Sequence, residues 1–480
     1  MPTTRTVADF GLVTRPPLVA LERFLAAGGG AFLNTGCWGL EREVLRINPD
    51  GQPALTPHPF APEEKEISVD FAENQAELVT PVLCDPAAAL GRLGVLQRRL
   101  QTAMGDDLLW PLSLPGRWDA PERVRAASFQ GRPEWEAQRV YRRNLERRHG
   151  KARQVISGIH YNFSFTPEFF TGWRASTGST VSEKALRDDA YFSVMRNFLR
   201  TQHVFNALWG VSPPGDDAFW RDLLAHTRAD LRVDAECCCD RISSVRLSPL
   251  GYALAADVER RIDVTFASLA EYRTKIAEAV QPSTPGPALL AHEREFYSPV
   301  RPKPAPADGP ASAASSRGER FALLDALQRD GVGYLEFRVF DLDPFEPLGV
   351  GLEALQFFHL LILSNLFSPS PLLSADERVL IADRNRWSTL CGSSLRAAPC
   401  QPGPAEEDAA AALFETMATI AGHLPLPYAD AVANARERWA GRRPRPIDRL
   451  RAALGAGSRA TLELGLRLAR QHRQSLTHAA

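Results

Sequence analysis

Two pairs of charged residues stand at the interval that could do chemistry: Glu41 with Glu43, and Glu336 with Arg338. Along an extended strand successive side chains point to opposite faces, so residues two apart share one face. Each pair would set its charges side by side on one surface of a sheet. His160 lies in a third such segment, 154–164, where Val155, Ile159, Tyr161 and Phe163 alternate with Gln154, His160, Asn162 and Ser164. In 334–341, Leu335, Phe337 and Val339 alternate with Tyr334, Glu336 and Arg338; in 244–248, Val245 and Leu247 alternate with Ser244, Arg246 and Ser248. A surface gathering Glu41, Glu43, Asp70, Glu77, His160 and Glu336 would hold carboxylates that repel unless cations lie between them. Hard oxygen donors select Mg²⁺ or Mn²⁺. Arg142, Arg246 and Arg338 would add planar groups that grip phosphate and carboxylate oxygens in pairs. That set suits phosphoryl transfer, in which catalysis is mostly positioning and charge neutralisation. Taken singly, each of these residues is equally well explained as a solvated charge on an open sheet face, and spacing does not by itself bring the strands together.

Strands that pack apolar groups on one side and carry charge on the other imply a mainly antiparallel sheet, backed by helices on one face and open on the other. Helical periodicity supplies the backing at 17–27, 86–104 (with Asp85 as N-cap), 190–208, 351–366, 406–424 and 446–471. The arginines repeated along the last of these read as a solvated face. The Pro/Ala/Ser-rich stretch 301–318 has chemistry-bearing segments on both sides, so it reads as an inserted loop. A second Pro/Gly-rich break, 397–404, precedes a helical region. The expected organisation is a catalytic unit over 1–375, interrupted by a loop at 302–318, with a mainly helical extension over 376–480 packed on it.

Bulk properties exclude several classes. The 480 residues are 44% hydrophobic and 24% charged with a formal net charge of −1, which gives no general attraction to nucleic acid or to an anionic membrane. The most apolar stretch, 355–367, contains Gln356, His359, Ser364 and Asn365 and reads as a buried helix rather than a membrane span. The first ten residues lack the pattern of a secretory signal. The seven cysteines are odd in number and unevenly spaced, which argues against a disulfide framework; Cys237–Cys239 read as reduced thiols and the compartment as a cytoplasm. Neither a Walker-type phosphate loop nor a Gly-x-Ser-x-Gly elbow is present.

Longer strings carry a resemblance. Gly39-Leu40-Glu41-Arg42-Glu43-Val44-Leu45-Arg46-Ile47 and Val69-Asp70-Phe71-Ala72-Glu73, running on to Glu77-Leu78-Val79-Thr80-Pro81, come first. Tyr141-Arg142 and Gln154-Val155-Ile156-Ser157-Gly158-Ile159-His160-Tyr161-Asn162-Phe163-Ser164 follow, then Val245-Arg246-Leu247-Ser248-Pro249-Leu250-Gly251-Tyr252. Glu295-Phe296-Tyr297-Ser298-Pro299-Val300-Arg301-Pro302-Lys303 and Gly333-Tyr334-Leu335-Glu336-Phe337-Arg338 complete the series. In this order, over roughly 36–350, the strings resemble bacterial type 1 glutamate–cysteine ligases. The resemblance implies an α+β fold like the glutamine synthetase catalytic domain, a curved, mainly antiparallel sheet funnel flanked by helices. It implies Mg²⁺ ligands at Glu41, Glu43, Asp70, Glu77, His160 and Glu336. ATP would phosphorylate the glutamate γ-carboxylate and the amine of cysteine would displace the phosphate, with Arg338 beside the transferred group and Arg142 and Arg246 holding substrate or phosphate oxygens. It also implies a cysteine pocket of Phe71, Tyr141, Leu145, Gln154, Tyr252 and Tyr297. The expected partners are small molecules, glutamate, cysteine and ATP, with a monomer as the expected state, although the sequence itself does not reveal oligomeric state.

The segment 237–240 and the region after about 370 depart from the family's pattern. They leave open a ligase with another amine acceptor. A nucleotide-binding regulator without catalysis is the alternative from another class, and the presence of every expected carboxylate weighs against it.

Overall fold

The computed structural model describes residues 18–213, 215–226, 242–251, 253–254, 256–283, 286–305, 321–391, 402–454 and 459–478. Seven strands make up the described sheet: β1 (Cys37–Ile47), β2 (Ile67–Val69), β3 (Gln75–Val79), β4 (Leu108–Leu109), β5 (Ile159–Ser164), β6 (Val300–Lys303) and β7 (Tyr334–Phe340). Their order is β2-β3-β1-β5-β7-β6, with β4 on the end of β1, and every pairing within it is antiparallel. The α+β architecture expected from sequence is the one observed.

The buried face is built by alternation. Leu40 and Val44 of β1, Tyr161 and Phe163 of β5, and Leu335, Phe337 and Val339 of β7 all enter one apolar core. Helix Leu352–Phe367 lies against them, buried around nearly its whole circumference. Phe358 meets Tyr161, Phe337 and Phe340 at ring separations of 5.0, 5.0 and 4.8 Å. Helix Glu183–Trp209 adds Phe198, 4.9 Å from Phe337. Helix Pro86–Ala103 is capped as expected, the Asp85 carboxylate accepting from the Ala88 amide at 2.8 Å. Helices Pro404–Ala421 and Leu426–Trp439 contribute Phe414, Met417, Ile420, Tyr428 and Val432 to the same core. Among the described residues no helix is long and apolar enough to cross a membrane.

Four sequence expectations are corrected. Gln154 closes a one-turn helix, Lys151–Gln154, and the strand begins only at Ile159. Gly150, at φ +73°, ends helix Glu136–His149 and lets the chain restart as that turn. Residues 244–248 are not a strand: after a single bridge from Ser244 to Ser212 the chain turns. There Ser244 Oγ accepts from the Leu247 amide (3.0 Å) and Ser248 Oγ donates to the Val245 carbonyl (2.7 Å); serine–backbone bonds of this kind compete with a ladder. Arg301, Pro302 and Lys303 belong to β6 and not to a loop; β6 is an edge strand, where proline is tolerated. The stretch 446–471 is divided into helices Pro446–Ala453 and Ala460–His478, the first ending where Leu454 turns extended. The Cys237–Cys239 run and most of the Pro/Ala-rich stretch lie outside the described residues.

Candidate active site

Register gathers the charges on the face opposite the core. Glu41 stands opposite His160, and Glu43 opposite Glu77. Glu77 is paired on its other side with Ser68, which donates to it at 3.0 Å. Asn162 and Arg301 flank Glu336 from β5 and β6. Between the pairs Ile159–Phe340 and Tyr161–Phe337, one residue of β5 (His160) faces two of β7 (Arg338 and Val339). This bulge re-aims the strand where Arg338 leaves it. It also explains why Val339 and Phe340, consecutive in sequence, are both buried.

Glu41, His160 and Glu336 each offer a ligand atom, and these atoms lie within 4.8 Å of one another. His160 Nδ1 is 2.9 Å from Glu41 Oε2, and Asn162 donates to the other Glu41 oxygen at 2.8 Å. With the Nδ1 proton directed at Glu41, Nε2 presents a lone pair. That nitrogen is buried, makes no hydrogen bond, and sits 3.3 Å from Glu43 Oε1. Burial, aided by the positive charge of Arg338, holds the His160 pKa below its ordinary value and keeps the ring neutral, the form that ligates metal. Burial also pushes the Glu43 carboxyl well up, and the neighbouring carboxylates of Asp70 and Glu77 push it further, against Arg246 and Arg338. So Asp70 and Glu77 are close enough to Glu43 to act on it, beside the group formed by Glu41, His160 and Glu336. A neutral imidazole nitrogen without a partner among crowded carboxylates fits a divalent cation.

Glu336 is nearly inaccessible and is held by two cations. Arg338 Nε donates to Oε2 at 2.8 Å, and Lys303 Nζ lies 2.9 Å from Oε1. Burial alone would raise this carboxyl, but Arg338 and Lys303 outweigh it and hold it well below the usual range. Arg246, fully buried, donates to the Arg338 carbonyl at 2.8 Å. Space for its guanidinium exists because residue 158 is glycine: a Cβ there would collide with it. Gly158 also donates its amide to Glu43 Oε2 at 3.2 Å. Arg142 projects from helix Glu136–His149, donates to the Asp70 carbonyl at 2.5 Å and lies over the Phe129 ring.

Of the expected acceptor pocket, Phe71, Leu145 and Gln154 are buried and Tyr141 and Tyr297 partly so; Tyr252 lies outside the described residues. Tyr141 and Leu145 are one turn apart on the same helix, and Tyr141 packs edge-on against His292 at 5.5 Å. Burial pushes the Tyr297 hydroxyl up, and Tyr141 is close enough to add to that effect. Phe71 belongs to a second apolar cluster with Val155 and Val245.

Sequence reasoning missed Lys303, Asn162, Gly158 and Asp341. For Lys303 the available signal was the i, i+2 pair Arg301–Lys303. For Asn162 it was its place on the polar face of β5. Asp341 accepts from the Val211 amide (2.7 Å) and Ser212 Oγ (3.0 Å), and Ser212 Oγ accepts from the Arg246 amide at 3.1 Å. It thereby supports the loop that carries Arg246, a tertiary relation with no local signature.

An antiparallel sheet whose polar face gathers carboxylates, one histidine and arginines is the kind of site an enzyme acting on anionic substrates needs. Comparison with known proteins makes this specific: the family model "Glutamate-cysteine ligase" matches residues 21–387, and the chain belongs to that family of ligases. It is 30% identical to the glutamate–cysteine ligase of Clostridium acetobutylicum over 75% of this chain and 78% of that one. It is 33% identical to the Pseudomonas aeruginosa enzyme over 74% and 69%. The Francisella tularensis glutamate–cysteine ligase, solved in complex with AMP, superposes with a TM-score of 0.77 at 24% identity, over 92% of this chain and 89% of that chain. A bifunctional glutathione synthetase from Pasteurella multocida gives 0.75 at 26%, over 95% of this chain and 55% of that chain.

Proposed function

We propose that the chain joins the γ-carboxylate of glutamate to the amine of cysteine at the expense of ATP, through a γ-glutamyl phosphate. The observation that carries this reading is the convergence of Glu41, His160 and Glu336, with Arg338 and Lys303 both bonded to Glu336. Family membership and the AMP complex of the Francisella protein support the use of ATP. Glu41, His160 and Glu336 would hold one divalent cation, with Glu43, Asp70 and Glu77 beside them for a second. Mg²⁺ or Mn²⁺ bound there would screen the phosphate oxygens and orient the transferred group.

In the first step a γ-carboxylate oxygen of glutamate attacks the γ-phosphorus of ATP, the bond to ADP breaks, and ADP leaves. Arg338 and Lys303, anchored on Glu336, face the transferred group with positive charge that does not need to reorganise as negative charge shifts. In the second step the amine attacks the acyl carbon, phosphate leaves with the bonding pair, and the amine proton passes to phosphate or water. Phe71, Tyr141, Leu145, Gln154, Tyr252 and Tyr297 would surround the cysteine side chain. An apolar and neutral polar lining suits a thiol and disfavours a charged side chain, whose burial without a partner is costly.

The test is ADP release with glutamate and an equimolar mixture of amino acids, with the products identified by mass spectrometry. Release that requires glutamate, cysteine and a divalent cation, is abolished by chelation and yields γ-glutamylcysteine is the expected result. A dominant γ-glutamyl product with another amine, or turnover indifferent to chelator, would overturn the assignment.

A further inference from the structure

We propose that Arg153 binds the α-carboxylate of the amino acid whose amine is ligated, adding a charged end to the acceptor pocket; this rests on the ligase reading above. The six expected pocket residues carry no charge, whereas any amino-acid acceptor brings a carboxylate. Arg153 immediately precedes Gln154 in the one-turn helix Lys151–Gln154. The turn is placed by Gly150, where a Cβ would come within 2.8 Å of His226. The guanidinium is partly buried and within electrostatic reach of Tyr297 and His149, whose rings meet edge-on at 6.1 Å.

What singles Arg153 out is that its side chain has neither an ion pair nor a hydrogen bond among the described residues. Its Nε is buried without a hydrogen bond, and among the described residues no carboxylate pairs with it. Three other arginines, which act on Tyr141, His149 or Tyr297, are committed elsewhere. Arg148 lies 2.7 Å from the Glu295 carboxylate. Arg301 donates to the carbonyls of Arg294 (2.9 Å) and Phe296. Arg142 is on the Asp70 carbonyl. Burial lowers the Arg153 pKa, in keeping with a charge removed from water and not repaid by protein groups. Such a cation is costly unless a partner arrives, and a guanidinium is matched by a carboxylate in two parallel hydrogen bonds. The location selects which carboxylate. The carboxyl to be phosphorylated must reach Arg338, Lys303 and Glu336, whereas Arg153 stands beside Tyr297 and Gln154, on the acceptor's side.

Cysteine and cysteamine differ by that carboxylate alone, so initial rates with each, in the full-length enzyme and its Arg153→Met and Arg153→Lys variants, test the assignment. The unmodified enzyme should prefer cysteine. Arg153→Met should raise the KM for cysteine about 10- to 100-fold, the worth of a hydrogen bond to a charged group. KM values for cysteamine, glutamate and ATP should stay within about twofold, and Arg153→Lys should recover part of the loss. An equal rise for both acceptors, a rise confined to glutamate, or unchanged cysteine kinetics would overturn it. If Arg153→Met melts early, the Arg153→Lys ratio of cysteine to cysteamine decides. Failure of the unmodified enzyme to release ADP with glutamate and cysteine would instead strike at the ligase reading.

Discussion

Arg338 and Lys303 divide one carboxylate between them, each taking a different oxygen of Glu336. Because the Arg338 Nε is the atom engaged, the plane of its guanidinium is set by that bond, and so is the direction of its terminal nitrogens. A lysine at 338 would keep the charge but could not make the Glu336 bond and aim a second donor in a fixed plane. Arg338→Lys is therefore expected to lower kcat by about 10-fold or more, with a smaller change in the KM for glutamate. Steady-state kinetics with varied glutamate check this, and an unchanged kcat with only a raised KM would remove Arg338 from the chemical step. The Glu336–Arg338 pair was legible from its two-residue spacing. Lys303 was not, because the Pro-rich composition around it reads as loop, and only its pairing with Tyr334 in an edge strand shows otherwise.

At the scale of elements, one buried imidazole on helix Leu352–Phe367 touches both the sheet and the C-terminal helices. His359 packs edge-on against Trp38 at 5.1 Å, and its Nδ1 is 3.0 Å from the Tyr428 hydroxyl of helix Leu426–Trp439. Burial lowers its pKa from 6.5 to about 3. The folded form thus binds this proton less readily than the unfolded chain, so the stability is complete above pH 6.5 and is lost as pH falls. By pH 5 the loss from this group is about 2 kcal/mol. His203, also buried with a pKa lowered to about 3, acts in the same direction. Replacing His359 by phenylalanine keeps a ring against Trp38 and removes the titration. The fall in Tm between pH 7 and pH 5 should be shallower in His359→Phe than in the unmodified protein, and equal falls would show that the site does not titrate as described.

On the scale of the whole molecule, the C-terminal helices are part of the core that backs the active-site sheet. Phe414 lies 6.5 Å from Phe357, Trp439 packs on Phe414 at 6.2 Å, and Tyr428 reaches His359. A buried ion pair, Arg200 to Glu377 at 2.6 Å, fastens helix Ala375–Arg386 to helix Glu183–Trp209. Removing residues 404–480 would expose apolar surface on helix Leu352–Phe367. Heat or urea should accordingly unfold the chain in one transition seen alike by far-ultraviolet and tryptophan signals, and a chain ending at residue 403 should lose both fold and activity. Two separated transitions, or an active truncated chain, would show that the extension is a domain of its own.

Alternation alone determined which face of β1, β5 and β7 is apolar, because a period of two is a local property of extended backbone. It therefore placed Glu41, Glu43, His160, Glu336 and Arg338 on polar faces before any pairing was known. The ordered strings over 36–350 supplied the family, through which Asp70 and Glu77 were joined to the same site. Local patterns could not supply register. Whether Glu41 meets His160, and whether the β7 bulge falls at Arg338, depends on how strands far apart in sequence pair. The serine-rich segment 244–248 shows the limit from the other side, since its alternation mimics a strand while hydrogen bonds from Ser244 and Ser248 fold it into turns. Arg153 is the sharpest case. In sequence it is one of a run of basic residues near the end of a helix, and only the tertiary structure, by giving Arg142, Arg148 and Arg301 partners and leaving it none among the described residues, sets it apart.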